Sequence, residues 1–197
     1  MFQVRIHGRG GQGVVTAAEL LSVAAFIEGR HAQAFPSFGS ERTGAPVIAF
    51  CRLDERPIRV REPILAPDAL VVQDPTLLHQ VDLFAGLRPD GHVLVNTGRT
   101  FAELGLGDLV ERHARPDRLL TVPATELARE HLGRPLPNAA LLGALGAASG
   151  QFGIDALAVA IREKFPAALA DGNIAAARAA RDHVLQELKE PAGAHAG

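Results

Sequence analysis

Six residues near the amino terminus have the types and spacing to do chemistry. Gly8-Arg9-Gly10-Gly11-Gln12-Gly13 satisfies G-x-G-x-x-G, directly after a strand-like stretch and before a helical one. Glycines without side chains let backbone N–H groups and a helix N-terminus come close to an anion or to a partner's backbone. Three readings share the pattern. A dinucleotide site also needs an acidic residue at the end of the second strand to hold ribose hydroxyls, but the sequence there is Ala32-Gln33-Ala34-Phe35-Pro36. A P-loop needs Lys and Ser or Thr where Val14 and Val15 stand. The third reading is a tight turn whose glycines serve helix–sheet packing alone.

A second candidate is the irregular stretch from Pro36 to Pro46, too rich in turn formers for regular structure. There Arg42, beside Gly44, could make a charge-assisted contact to a phosphate or carboxylate, with Phe35 and Phe38 as apolar anchors. The alternative is a surface connection with an exposed arginine. Cys51 lies in an apolar strand and reads as a small buried hydrophobe. The eight histidines lack metal-ligand spacing such as H-E-x-x-H, and His113 and His131 read as surface residues at helix ends. No serine sits in G-x-S-x-G, so a hydrolase triad has no support.

The elements that must position these groups follow from periodicity. Residues 2–7 read as a strand and 14–28 as a helix closed by Gly29, the first half of a βα unit. Residues 47–53 read as a strand, 54–57 as a turn and 58–60 as a short returning strand, a β-hairpin. Residues 69–73 form a nearly continuous apolar run, the mark of a parallel strand covered on both faces, ending at Asp74-Pro75-Thr76 before a helix through Phe84. The theme repeats at 91–95, ending at Asn96-Thr97, and at 119–122. Helices are predicted at 138–150, 155–165 and 173–189. The result is an α/β fold: a Rossmann-like, mostly parallel sheet with flanking helices, a β-hairpin addition and a helical C-terminal part. Binding is expected at the carboxyl ends of its strands.

Composition bounds the rest. A chain of 197 residues with 47% hydrophobic content can bury roughly 70% of its unfolded surface, which predicts one domain over 1–190 and a frayed tail at 191–197. A net charge of -2 provides no basic field for nucleic acid, although 18 of the 20 basic residues are arginine. The longest apolar run, 139–148, is interrupted by Gly143 and Gly146 and falls short of the roughly 18 residues of a membrane span. No signal peptide is evident and the single cysteine suits a reducing compartment, so the predicted location is cytoplasmic.

Several separated motifs together resemble one family. The run Gly8 to Glu19, the segment Ala32-Gln33-Ala34-Phe35-Pro36 with Glu41-Arg42 and Gly44-Ala45-Pro46, and then Gln73-Asp74-Pro75-Thr76, Val95-Asn96-Thr97 and Pro137-Asn138 resemble, in this order, the gamma subunit of pyruvate:ferredoxin oxidoreductases and related 2-oxoacid:acceptor oxidoreductases. The resemblance implies a multi-subunit enzyme that oxidatively decarboxylates a 2-oxoacid such as pyruvate or an aryl-glyoxylate to an acyl-CoA. It would use thiamine diphosphate, magnesium and iron–sulfur clusters. One cysteine and no G-D-G motif followed downstream by Asn imply that these groups reside in alpha, beta and ferredoxin-like delta partners, leaving this chain inactive alone. What remains for it is to pack against the thiamine-binding subunits and shape the approach of CoA. Gly8, Arg9, Gly10, Gly11, Gln12 and Gly13, with Arg42 and Asn96, are the implied cofactor-facing residues. The competing reading is a stand-alone dinucleotide- or nucleotide-binding regulatory module.

Overall fold

The computed structural model describes residues 1–37 and 44–189. In chain order the elements are β1 (Phe2–Arg9), α1 (Val14–Ile27), β2 (His31–Pro36), β3 (Pro46–Asp54), β4 (Ala69–Val72), β5 (His92–Asn96), α2 (Gly107–Arg112), β6 (Leu119–Val122), α3 (Ala124–Leu132), α4 (Asn138–Ser149), α5 (Ile154–Lys164) and α6 (Ala167–Glu187). Short 3-10 turns lie at Pro75–His79 and Pro116–Arg118. The sheet order is β2-β3-β1-β4-β5-β6. β1, β4, β5 and β6 are parallel neighbours, and β3 alone runs against them, between β1 and β2. The α/β, mostly parallel architecture is as the periodicity predicts.

Strand alternation sorts the side chains onto two faces. Val4, Ile6, Ala49, Cys51, Leu53, Val71 and Leu94 meet α1, α4, α5 and α6 in the larger core. Leu70, Val72, Val93 and Val95 point the other way, against Leu77, Leu83 and Phe101 from the connections. α4 is the innermost helix. Its residues 139–145 are all buried, and a Cβ added at Gly143 would stand 2.0 Å from the Ala177 carbonyl oxygen of α6, so the two backbones touch there. Cys51 is fully buried in β3, and burial pushes its thiol well above the ordinary range.

Four local expectations are corrected. The antiparallel addition is made by β2 and β3, not by β3 and residues 58–60. β3 already has β1 on one side and β2 on the other, so it has no free edge to pair a returning strand. The buried Arg52 guanidinium also draws the chain across the sheet face, donating to the Glu62 carbonyl as well as to Gln3 Oε1 at 3.2 Å and Gln33 Oε1 at 3.0 Å. After Asp74 the chain forms only the 3-10 turn, not a helix through Phe84. Arg5 Nη2 takes the Leu83 and Ala85 carbonyls at 2.8 and 2.7 Å, turning them away from helical bonding. α6 begins at Ala167 rather than at 173 and runs through Gly172, where a side chain would meet the His131 carbonyl oxygen at 2.8 Å. Helix α2, after β5, spans six residues with none buried.

Histidine also departs from the sequence expectation. His113 is 8% exposed at the end of α2, and His7 and His92 are likewise buried, whereas His131 is exposed. Burial, reinforced by Arg5 beside His7 and by Arg118 near His92, lowers each of those two imidazoles from 6.5 to about 4. A group whose folded pKa lies below its unfolded value takes up protons on unfolding across the interval between them. Stability is therefore full above pH 6.5, falls as pH drops toward 4 and levels off below. The full shift corresponds to about 3 kcal/mol per imidazole, which solvent screening lowers to on the order of 1–2 kcal/mol. Thermal melts at pH 7.5 and 4.5 check this, and the His7→Gln, His92→Gln double variant should flatten the dependence.

Candidate functional site

The glycine run closes the carboxyl end of β1, and the strand extends into it. Gly8 pairs with Val47 and Arg9 with Pro46, two residues beyond the predicted strand end. Gly8 is a close-packing position: a Cβ there would stand 2.6 Å from Val14 Cγ2, 3.0 Å from Gln12 Oε1 and 3.2 Å from Gln73 Cβ. Gly10 is tied to the start of β3, donating to the Ala45 carbonyl at 2.9 Å and accepting from the Gly44 N–H at 3.2 Å. Gly13 takes a left-handed φ of 71° as the residue before α1, and a Cβ there would lie 2.6 Å from Asn138 Nδ2 in the first turn of α4. Gly11, at φ 92°, has no described residue within 4 Å of an added Cβ. α1 has no side-chain cap and no acid in its first turn, so its N–H groups and positive dipole end are offered at this loop.

Arg9 and Gln12 are held within the chain. Arg9 Nη2 donates to Thr76 Oγ1 at 2.8 Å and to Gln80 Oε1 at 2.9 Å, Nη1 donates to the Gly44 carbonyl at 3.0 Å, and Nε stands 3.2 Å from Asp74 Oδ2. Gln12 Nε2 donates to the same Asp74 oxygen at 2.8 Å, and Gln12 Oε1 accepts the Arg9 backbone N–H at 2.7 Å. Burial alone would raise the Asp74 carboxyl. Hydrogen bonds from Thr76 and Gln12, together with the Arg9 charge, hold it below the ordinary carboxylate range.

Asn96 is also spent inside the chain. Its Nδ2 donates to the Gln73 carbonyl at 2.7 Å and to Thr125 Oγ1 at 2.8 Å, while its Oδ1 accepts from the Thr125 N–H at 3.0 Å. One side chain thus ties the ends of β4 and β5 to the first turn of α3. Gln73 follows β4, is 1% exposed, and has neither amide atom hydrogen-bonded to a described residue. The structure therefore brings Gly8, Arg9, Gly10, Gly11, Gln12, Gly13 and Asn96 to the carboxyl edge of the sheet. Arg42 lies outside the described residues. Asp74, Thr76, Gln80 and Asn138 complete the edge without having been singled out as site residues; the Asp-Pro-Thr turn at a strand end was the visible signal for Asp74 and Thr76, and the Pro137-Asn138 motif that for Asn138.

The edge is not built as a dinucleotide site. β3 separates β2 from β1, so the end of β2 lies two strands away from the glycine loop. Among the described residues no group of three His, Cys, Asp or Glu side chains could hold a metal ion, and no helix is long and apolar enough to cross a membrane. An iron–sulfur cluster wants several thiolates; the chain has one cysteine, buried within the sheet, so its residues do not fit such a group.

A six-stranded, mostly parallel sheet with a glycine turn closing β1 defines an α/β fold whose candidate site lies at the carboxyl edge. The pyruvate ferredoxin/flavodoxin oxidoreductase family matches residues 3–183, and the chain belongs to it. Its relatives narrow the type to gamma. It is 49% identical over 180 residues to the common subunit gamma of the pyruvate/ketoisovalerate oxidoreductases of Pyrococcus abyssi, covering 91% of this chain and 95% of that one. It is 47% identical over 180 residues to pyruvate synthase subunit PorC of Methanothermobacter marburgensis, covering 91% and 96%. The crystal structure of pyruvate oxidoreductase subunit PORC from Thermotoga maritima superposes with a TM-score of 0.77 at 35% identity, covering 92% of this chain and 95% of that one. All three are oxidoreductase subunits; none is a stand-alone nucleotide-binding module.

Proposed function

We propose that this chain is the gamma subunit of a multi-subunit enzyme that oxidises a 2-oxoacid of the pyruvate type, with alpha, beta and ferredoxin-like delta subunits as its partners. The balanced reaction is a 2-oxoacid anion plus CoA thiol giving acyl-CoA, carbon dioxide, one proton and two electrons. Thiamine diphosphate held with magnesium by the sister subunits would supply the decarboxylation chemistry, and iron–sulfur clusters the electron path. The acyl acceptor, CoA, carries phosphates.

The observation that carries this chain's role is the N-terminus of α1, without a side-chain cap from Gly13, behind Gly11, which no described residue crowds. Backbone N–H groups aligned with a helix dipole suit a phosphate, or an acidic group of a partner. Gly8 and Gly13 allow the close packing that fixes this turn, Gly10 holds it to β3, and Arg9 and Gln12 brace it. Arg42 follows Gly39 and precedes Gly44, and we assign its charge to the same approach.

The test is coexpression with the sister subunits, followed by CoA-dependent oxidation assays on pyruvate and other 2-oxoacids. We expect the chain to copurify, and activity to require it. A chain that purifies alone and binds NAD tightly would contradict the proposal.

A further inference from the structure

We infer that Asp74 is a positioning residue that sets the working shape of the glycine loop. This rests on the proposed role of that loop in the assembled enzyme. The loop and Asp74 are far apart in sequence but share one clasp. Asp74 Oδ1 accepts from the Thr76 N–H at 3.0 Å and from Thr76 Oγ1 at 2.6 Å; Oδ2 accepts from Gln12 Nε2 at 2.8 Å and faces the Arg9 charge at 3.2 Å. Among the described residues, every polar neighbour of this carboxylate is a donor.

That one-sidedness matters because Gln12 has two unlike ends. An ionised carboxylate only accepts hydrogen bonds, so the Gln12 NH2 must face Asp74 and its carbonyl must face the loop. There the carbonyl takes the Arg9 backbone N–H at 2.7 Å, while the Gln12 N–H returns to the Arg9 carbonyl at 3.1 Å. The orientation of one amide, set by Asp74, thereby closes the turn that carries Gly10 and Gly11. Arg9, held by the same carboxylate, extends the clasp to the Gly44 carbonyl at the start of β3. The lowered Asp74 carboxyl keeps the clasp ionised at neutral pH.

Asp74→Asn, isosteric with the native residue, reverses this polarity. Either the Asn NH2 faces the Thr76 donors, or it faces the Gln12 NH2 and forces that amide to flip, releasing the Arg9 N–H. Gln12→Glu alone sets carboxylate against carboxylate. The double variant Gln12→Glu, Asp74→Asn restores a donor facing an acceptor at both ends and keeps one negative charge beside Arg9.

The experiment compares assembled enzymes carrying native, Asp74→Asn and Gln12→Glu, Asp74→Asn chains. It reads amide hydrogen exchange in peptides spanning residues 8–14 and the KM for CoA against kcat. We expect exchange about tenfold faster in Asp74→Asn and within about threefold of native in the double variant. KM for CoA should rise about fivefold in the single variant with kcat changed less than about twofold, and recover in the double variant. Exchange within about twofold of native in Asp74→Asn, or a double variant no slower than the single, would overturn the inference. Altered and rescued exchange with unchanged KM would support the clasp while refuting the loop's role toward CoA. Should Asp74→Asn fail to assemble, assembly of the double variant supports the inference and failure of both overturns it.

Discussion

Gly143→Ala should destabilise the chain by about 3 kcal/mol and lower its melting temperature by about 6–12 °C. The added methyl would stand 2.0 Å from the Ala177 carbonyl oxygen and 2.7 Å from its carbon. Both belong to backbone, so no rotamer change relieves the overlap, and α4 and α6 must separate. Ile174, Ala176, Ala177, Ala180 and Val184 of α6 share the larger core with residues 139–145 of α4, so separation opens packed volume along both helices. Helix propensity favours alanine by only about 1 kcal/mol, which offsets part of the cost. Gly107→Ala is the control: it begins α2, is exposed and has no described residue within 4 Å of an added Cβ, so it should be neutral or slightly stabilising. Paired denaturant melts decide the matter. Equal stability in both variants would mean that α4 and α6 are not in backbone contact.

The same crossing shows what a linear reading can and cannot see. The apolar run 139–148 announces a buried helix because it has no polar side. That its neighbour starts at Ala167 was hidden by Asp171-Gly172, which reads as a break and is a contact with α3. The glycine turn was legible because turn chemistry is local. Its bracing was not: Gln12 meets Asp74 across 62 residues, and no periodicity encodes such a distance. Arg5, His7 and Arg52 look like the solvent side of alternating strands, yet all three are buried, with Arg5 and Arg52 donating to carbonyls of the connections. The insertion of β3 between β1 and β2 is a pairing choice rather than a composition signal, and it determined both the hairpin partner and the absence of dinucleotide geometry. Asn96 was placed at the correct edge of the sheet, but its amide caps α3 and secures β4.

The second large effect is expected at Gly11, where added bulk tests what comes from outside the chain. Gly11→Ala places a methyl group where none of the described residues lies within 4 Å, at a left-handed φ of 92°. The conformational strain, about 1–2 kcal/mol, is local to the turn. Gly133→Ala carries comparable strain at φ 70°, is also exposed, and likewise meets no described residue within 4 Å, but it ends α3 instead of lining the loop. Comparing the two separates strain from obstruction. The deciding measurement is the KM for CoA of the assembled enzyme carrying each variant, with the 2-oxoacid saturating. We predict a rise of about tenfold or more for Gly11→Ala and a change below about twofold for Gly133→Ala. Identical, near-native values for both variants would contradict a role for the glycine loop in the approach of CoA.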